Sequence, residues 1–125
     1  MNNSSLAEML RRCPPETHAA ARDFRATRDP RHVAQIVRGV IERYVEPEFR
    51  PIVRNADDGM RLIEDLGIDS LTLMQIAVLV EDVLEVTTTD DQLRQLRTIG
   101  DVTALARHTV SARRDELLTT AGVPA

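Results

Sequence analysis

Side chains able to do covalent or proton-transfer chemistry are few in this 125-residue chain. There is one cysteine, Cys13, and there are three histidines, His18, His32 and His108. A reactive thiol needs a neighbouring cation or helix N-terminus to lower its pKa, and no such pattern flanks Cys13. A serine nucleophile needs a base, and no histidine stands in a G-x-S-x-G elbow, which would also need a strand–turn–helix. One cysteine excludes an internal disulfide framework and a multi-cysteine zinc site, so no metal site is expected. All sixteen basic residues are arginine, which excludes chemistry through a lysine amine. Carboxylates are plentiful, but they fall on helix surfaces with no cleft implied for general acid–base work. No catalytic residue is assigned, and the chain is expected not to be an enzyme.

One segment differs from the rest: Leu66-Gly67-Ile68-Asp69-Ser70-Leu71. Gly67 allows a sharp turn, and Asp69 or Ser70 then caps a helix whose next residues are apolar. Capping alone would explain the pair. Yet a hydroxyl at a helix start is exposed, and the unpaired backbone N–H groups there favour an anion. Ser70 is therefore suited to carrying a phosphate-linked prosthetic group.

The elements that must position this segment read as helices throughout. Val33, Ile36, Val37, Val40, Ile41 and Tyr44 form one stripe at helical spacing over 32–45, with Asp29-Pro30 opening it and Pro47 ending it. Gly39 inside this helix is either simply tolerated or permits another helix to approach closely. Residues 47–68 form a long connection, with Phe49, Ile52, Leu62 and Ile63 expected to point inward. The next helix runs from Ser70 to about Glu85, with Leu73, Ile76, Ala77, Val80 and Leu84 as its core face. Its other side carries Leu71, Met74 and Val78 beside Gln75, Glu81, Asp82 and Glu85. A helix apolar on a second side is either buried twice or used for a partner. Asp90 is expected to cap a short helix with Leu93 and Leu96 inward, and Thr98 with Asp101 forms a capping box for a last helix bearing Val102, Leu105, Ala106 and Val110.

At the ends, Leu6, Met9 and Leu10 suggest a short helix stopped by Cys13-Pro14-Pro15, and Glu16 to Arg28 a second with Ala19, Ala20 and Phe24 as a weak stripe. Three regions follow: a partly helical or disordered extension at 1–30, a helical domain at 31–110, and a helix extension at 111–125 whose tail, 119–125, is expected to be disordered. The extension either packs along the bundle, or pairs with a cognate enzyme, or is a disordered arm. No strand signal or internal repeat is present, and the fold class is all-α.

Charge is uneven. Residues 57–91 hold ten acids against one base, Arg61, a local charge of −9, although the whole chain carries only −4. An acidic centre argues against nucleic acid as the main partner. No apolar run approaches the ~20 residues of a membrane helix, and the first residues lack a secretory pattern, so a cytoplasmic location is expected.

The string Leu66-Gly67-Ile68-Asp69-Ser70-Leu71, followed by an apolar helix ending in Glu81-Asp82, resembles the attachment motif of acyl carrier proteins. The similarity extends over 31–110: a helix upstream, a long loop into Glu64-Asp65-Leu66-Gly67, a short helix after Asp90-Asp91, and Thr98-Ile99-Gly100-Asp101-Val102 opening the last. The resemblance implies a bundle of three longer helices and one short one, with an extra N-terminal helical segment. It implies that Ser70 receives 4′-phosphopantetheine from coenzyme A through a carrier protein synthase, a phosphopantetheinyl transferase, with Asp69 helping to place the metal of that synthase. The cofactor thiol would hold acyl groups as thioesters for enzymes such as a ketosynthase, dehydratase or acyltransferase. It also implies a partner face on the helix after Ser70, with charge from Glu81, Asp82 and Glu85, grip from Leu71, Met74 and Val78, and Gln75 between them. The carrier is expected to be a monomer in a fatty-acid-like, polyketide-like or specialised pathway.

Two departures stand out. Thr72 and Gln75 occupy the outward first turn where the family usually carries acids, which favours a dedicated partner. Ile68 replaces the second glycine common in peptidyl carriers, which favours acyl over aminoacyl cargo. An alternative keeps the scaffold as a helical interaction module without a prosthetic group.

Overall fold

A computed structural model describes the backbone of residues 3–122 and the side-chain surroundings of residues 6–118. Among these residues the chain forms seven α-helices and no strand: α1 (Asn3–Met9), α2 (Pro15–Thr27), α3 (Val33–Tyr44), α4 (Arg50–Asn55), α5 (Ser70–Leu84), α6 (Asp90–Arg94) and α7 (Ile99–Gly122). The all-α class and the bundle of α3, α5, α6 and α7 agree with the sequence pattern.

Local chemistry sets the helix ends. The Asp29 side chain accepts from Arg31 N at 2.9 Å, and Pro30 opens one 3-10 turn that runs directly into α3. Thr89, one residue before the expected Asp90, caps α6. Its hydroxyl accepts from Gln92 N, and the Gln92 amide oxygen accepts from Thr89 N in return, which leaves Asp90 as the first helical residue. The expected box at α7 is present: Asp101 N donates to Thr98 Oγ1 at 3.0 Å, and Thr98 N to Asp101 Oδ2 at 3.1 Å. This helix continues to Gly122, so the backbone at 119–122 is helical where disorder was expected; residues 123–125 lie outside the described residues.

The helices share one aliphatic core. Val33, Ile36, Val37, Val40 and Ile41 of α3 are fully buried, as are Ile76 and Val83 of α5. Leu6 of α1, Leu10 just after it, and Ala21 and Phe24 of α2 belong to the same cluster. Burial of Phe24 contributes about 1.5–3 kcal/mol. The second pair of the α2 stripe is Ala20 and Ala21; Ala19 is only half-buried. α2 and α3 approach closely at Gly39. A Cβ on Gly39 would stand 1.8 Å from Thr17 Oγ1, so Gly39 is there because α2 packs against it. The Arg43 guanidinium on α3 also donates to the Met9 carbonyl at 2.6 Å. Residues 3–27 are thus laid along the bundle.

The connection from α3 to α5 holds a helix the sequence did not announce, α4. Its buried side chain is Val53, and Leu62 further on is fully enclosed. Ile52 and Ile63, expected inward, are exposed, because the turns that bury Val53 and Leu62 rotate their neighbours outward. Leu62 N donates to the Arg97 carbonyl and Ile99 N to the Met60 carbonyl, which ties the loop to the start of α7.

Candidate functional site: Ser70 and the helix it opens

Alternating burial aims the segment before α5. Leu66 and Ile68 are buried, whereas Gly67, Asp69 and Ser70 are exposed. Gly67 has φ of +68°, a left-handed turn that a side chain would strain. The turn is closed by Gly67 N donating to the Ile63 carbonyl and Ile68 N to the Leu62 carbonyl, each at 3.1 Å. Two apolar anchors around one left-handed glycine therefore fix where the chain emerges. Asp69, with extended backbone, is the N-cap: its Oδ1 accepts from Thr72 N at 2.7 Å. Ser70 is the first helical residue, so its side chain is released from capping. The hydrogen bond from the Thr72 backbone N–H, and further bonding within the same turn, hold the Asp69 carboxyl below the usual range, so it stays ionised beside Ser70.

Beside Ser70 lies an open groove of about 560 Å³, bounded by Ile63, Leu73 and Met74 on one side and Leu93, Leu96 and Arg97 on the other. An exposed hydroxyl at a helix start, with a largely apolar groove next to it, fits a phosphate-linked arm. Among the described residues no group of three or more His, Cys, Asp or Glu could hold a metal ion.

The remaining face of α5 is mixed. Leu71, Met74 and Val78 are 71%, 43% and 49% exposed. Gln75 is exposed beside them and Thr72 is half-buried. Leu79 and Val83, absent from the expected core stripe, are buried, because α1 and α2 lie against a second side of α5. Leu73, expected in the core, is only half-buried and lines the groove. Both readings of the doubly apolar helix therefore hold, each for different residues: one side is covered by the extension, and another stays open.

The three acids expected to supply charge together, Glu81, Asp82 and Glu85, have different surroundings, and two of them are engaged inside the chain. The Glu81 carboxylate turns into the loop after α5, where it accepts from the backbone N–H and the hydroxyl of Thr88. Glu85 pairs with Arg28, and with Arg25 at 3.7 Å. The Arg28 hydrogen bond holds the Glu85 carboxyl below its ordinary value, against partial burial and with help from Arg25. Of these three, only Asp82 keeps an exposed carboxylate with no partner among the described residues. Nothing in the local sequence signals the pairing of Glu85, since Arg28 lies fifty-seven residues before it and Arg25 earlier still.

Cys13 is buried, and desolvation pushes its thiol pKa up despite the opposing Arg43, which suits an inert side chain. His108 is exposed on α7, and His18 and His32 are half-buried. Among the described residues no helix is long and apolar enough to cross a membrane.

Comparison with known proteins agrees with this geometry. Residues 33–106 match the family described as "Phosphopantetheine attachment site". The chain is 49% identical over 39 residues to an acyl carrier protein of Exiguobacterium sibiricum, covering 31% of this chain and 49% of that one. It is 48% identical over 42 residues to an acyl carrier protein of Rhodococcus erythropolis, covering 34% and 46%. A meromycolate extension acyl carrier protein of Mycolicibacterium aurum is 50% identical over 42 residues, covering 34% and 43%. The match spans less than half the length of each of these relatives. No solved structure matches the chain significantly. With α3 through the first two turns of α7 inside the matched region, and an exposed serine opening α5, the chain belongs to the phosphopantetheine attachment site family, and the relatives it matches here are named acyl carrier proteins.

Proposed function

We propose that this chain is an acyl carrier in which Ser70 receives 4′-phosphopantetheine from coenzyme A through a carrier protein synthase. The observation that carries this reading is the position of Ser70. It is the first residue of α5, exposed, freed from capping by Asp69, and held outward by the buried Leu66 and Ile68. The bound group supplies a flexible arm whose thiol holds an acyl chain as a thioester. Around it the protein's own residues have distinct tasks. Asp69 stays ionised beside the hydroxyl, which suits it to help place the metal of the synthase. Leu73, Leu93 and Leu96 offer apolar surface beside the attachment point.

Relatives named for meromycolate extension favour a lipid-type cargo and a fatty-acid-like pathway. Acyl-processing enzymes such as a ketosynthase, dehydratase or acyltransferase are the proposed partners, and a cytoplasmic monomer is the proposed form. Incubation with coenzyme A and a broad-specificity synthase should add one phosphopantetheine mass to the intact protein. Ser70→Ala should abolish the gain. An unmodified wild-type protein at the end of a long incubation would refute the reading.

A further inference from the structure

The C-terminal end of α5 is held by a clamp from the extension. Arg25 Nε donates to the Val83 carbonyl and Arg25 Nη2 to the Asp82 carbonyl, both at 3.0 Å. Arg28 reaches the Leu84 carbonyl and pairs with Glu85. The two guanidiniums therefore satisfy carbonyls that the helix end leaves unpaired, and offset its negative dipole. They also neutralise Glu85 at the end of the exposed face, while Thr88 occupies Glu81. The open face of α5 is thus apolar at Leu71, Met74 and Val78, with a single unpaired carboxylate at Asp82. A shallow groove of about 340 Å³ runs along it between Tyr44 of α3 and Met74, Val78 and Asp82 of α5.

We propose that Arg25 and Arg28 are partner-specificity residues. By withdrawing negative charge from the docking helix, they fit this carrier to an enzyme that presents an apolar side chain to the Tyr44–Met74–Val78 groove and one cation to Asp82. They disfavour enzymes that read carriers through a broad basic patch. The complementarity decides the partner: on this face of α5 a single free acid matches a broad basic patch poorly, whereas three exposed apolar side chains need apolar cover. This inference rests on the carrier reading above.

The probe is a carrier protein synthase whose docking surface is basic, and the readout is kcat/KM for loading Ser70, followed by intact mass. Wild type should load slowly, with a shallow dependence on salt. The Arg25→Gln/Arg28→Gln pair should load about fivefold faster at low salt, with a steeper salt dependence, because Glu85 becomes available to the synthase. Adding Glu85→Gln to that pair should return the rate to wild type. Mere loosening of the fold would not be reversed by this third change, and a thermal melt identifies any variant that fails to fold. Arg28→Gln alone, which leaves the Arg25 carbonyl bonds in place, should give a smaller gain in the same direction. Equal rates for wild type and the arginine variants, or a gain that survives Glu85→Gln, would overturn the inference while leaving the carrier reading intact. Failure of the wild type and of every arginine variant to take up the group at all would instead remove the carrier reading on which it rests.

Discussion

The two ends of α5 are built on opposite terms. At its start, Ser70 and Asp69 stand in solvent, steered only by a turn between two buried anchors. At its finish, the carbonyls of Asp82, Val83 and Leu84 accept from two arginines of a distant helix, and Glu85 in a left-handed conformation closes the helix against Arg28. One helix is thus anchored where it meets the extension and left open at the proposed attachment serine. The contrast shows how a small bundle can expose a hydroxyl at one end of a helix while the other end is held by distant arginines.

The largest effect should come from separating function from stability at the open end. Ser70→Ala should lose all loading, yet change the unfolding free energy measured in urea by less than about 0.5 kcal/mol, since Ser70 is exposed and not the cap. A large loss of stability would show that the open end carries structural weight after all. At the anchored end the reverse should hold. Phe24→Ala removes a fully enclosed ring from the layer between α2 and the bundle, and should cost about 3–5 kcal/mol in urea unfolding. If it cost under about 1 kcal/mol, the extension would be a loosely held arm and the contrast between the ends would fail.

Much of this was legible in the chain and some was not, for a definable reason. The α3 stripe, the Thr98–Asp101 box and the start of α5 at Ser70 follow from local spacing and cap chemistry, which a sequence displays directly. The burial of Leu79 and Val83 was not legible, because periodicity identifies one buried face and α5 has two. The fates of Glu81 and Glu85 were hidden for a similar reason. Three carboxylates on a helix look alike in sequence, and their difference comes from a loop threonine in one case and from arginines on α2 in the other. Ile52 and Val53 are adjacent and both β-branched; only the short α4 turn decides which goes inward. Local chemistry was readable, and long-range pairing was not.

Gly39 gives an intermediate test of the anchored side. Gly39→Val places side-chain atoms where Thr17 already lies, and overpacking of this kind costs about 1–3 kcal/mol, although valine alone is a better helix former than glycine. Thr17→Gly in the same chain should recover part of the loss, measured by urea unfolding. A variant as stable as wild type would mean that α2 can move off α3 freely, and that the anchoring depends less on this contact than the geometry shows.

The smallest expected effect distinguishes the two ends by their electrostatics. Asp69 and Glu85 both have carboxyl pKa values below their ordinary range, the first through the Thr72 N–H and the second chiefly through Arg28. A carboxylate whose folded pKa is lowered contributes stability that is fully present above its unfolded value, near 4. That contribution is lost as pH falls through the folded value, so the melting temperature should decline on the acid side. Asp69→Asn keeps a capping oxygen and Glu85→Gln keeps the shape, so each should flatten its own share of that decline. Salt then separates them. The Glu85 contribution is an ion pair near the surface and should shrink as ionic strength rises and the screening length falls below about 10 Å. The Asp69 contribution is a short hydrogen bond to a backbone N–H and should persist. Melting curves of wild type, Asp69→Asn and Glu85→Gln between pH 2 and 6, at low and high salt, should therefore show a salt-sensitive difference only for Glu85. If the two variants respond to salt alike, the arginine clamp is not acting through charge, and the C-terminal end of α5 is held by its carbonyl hydrogen bonds and packing alone.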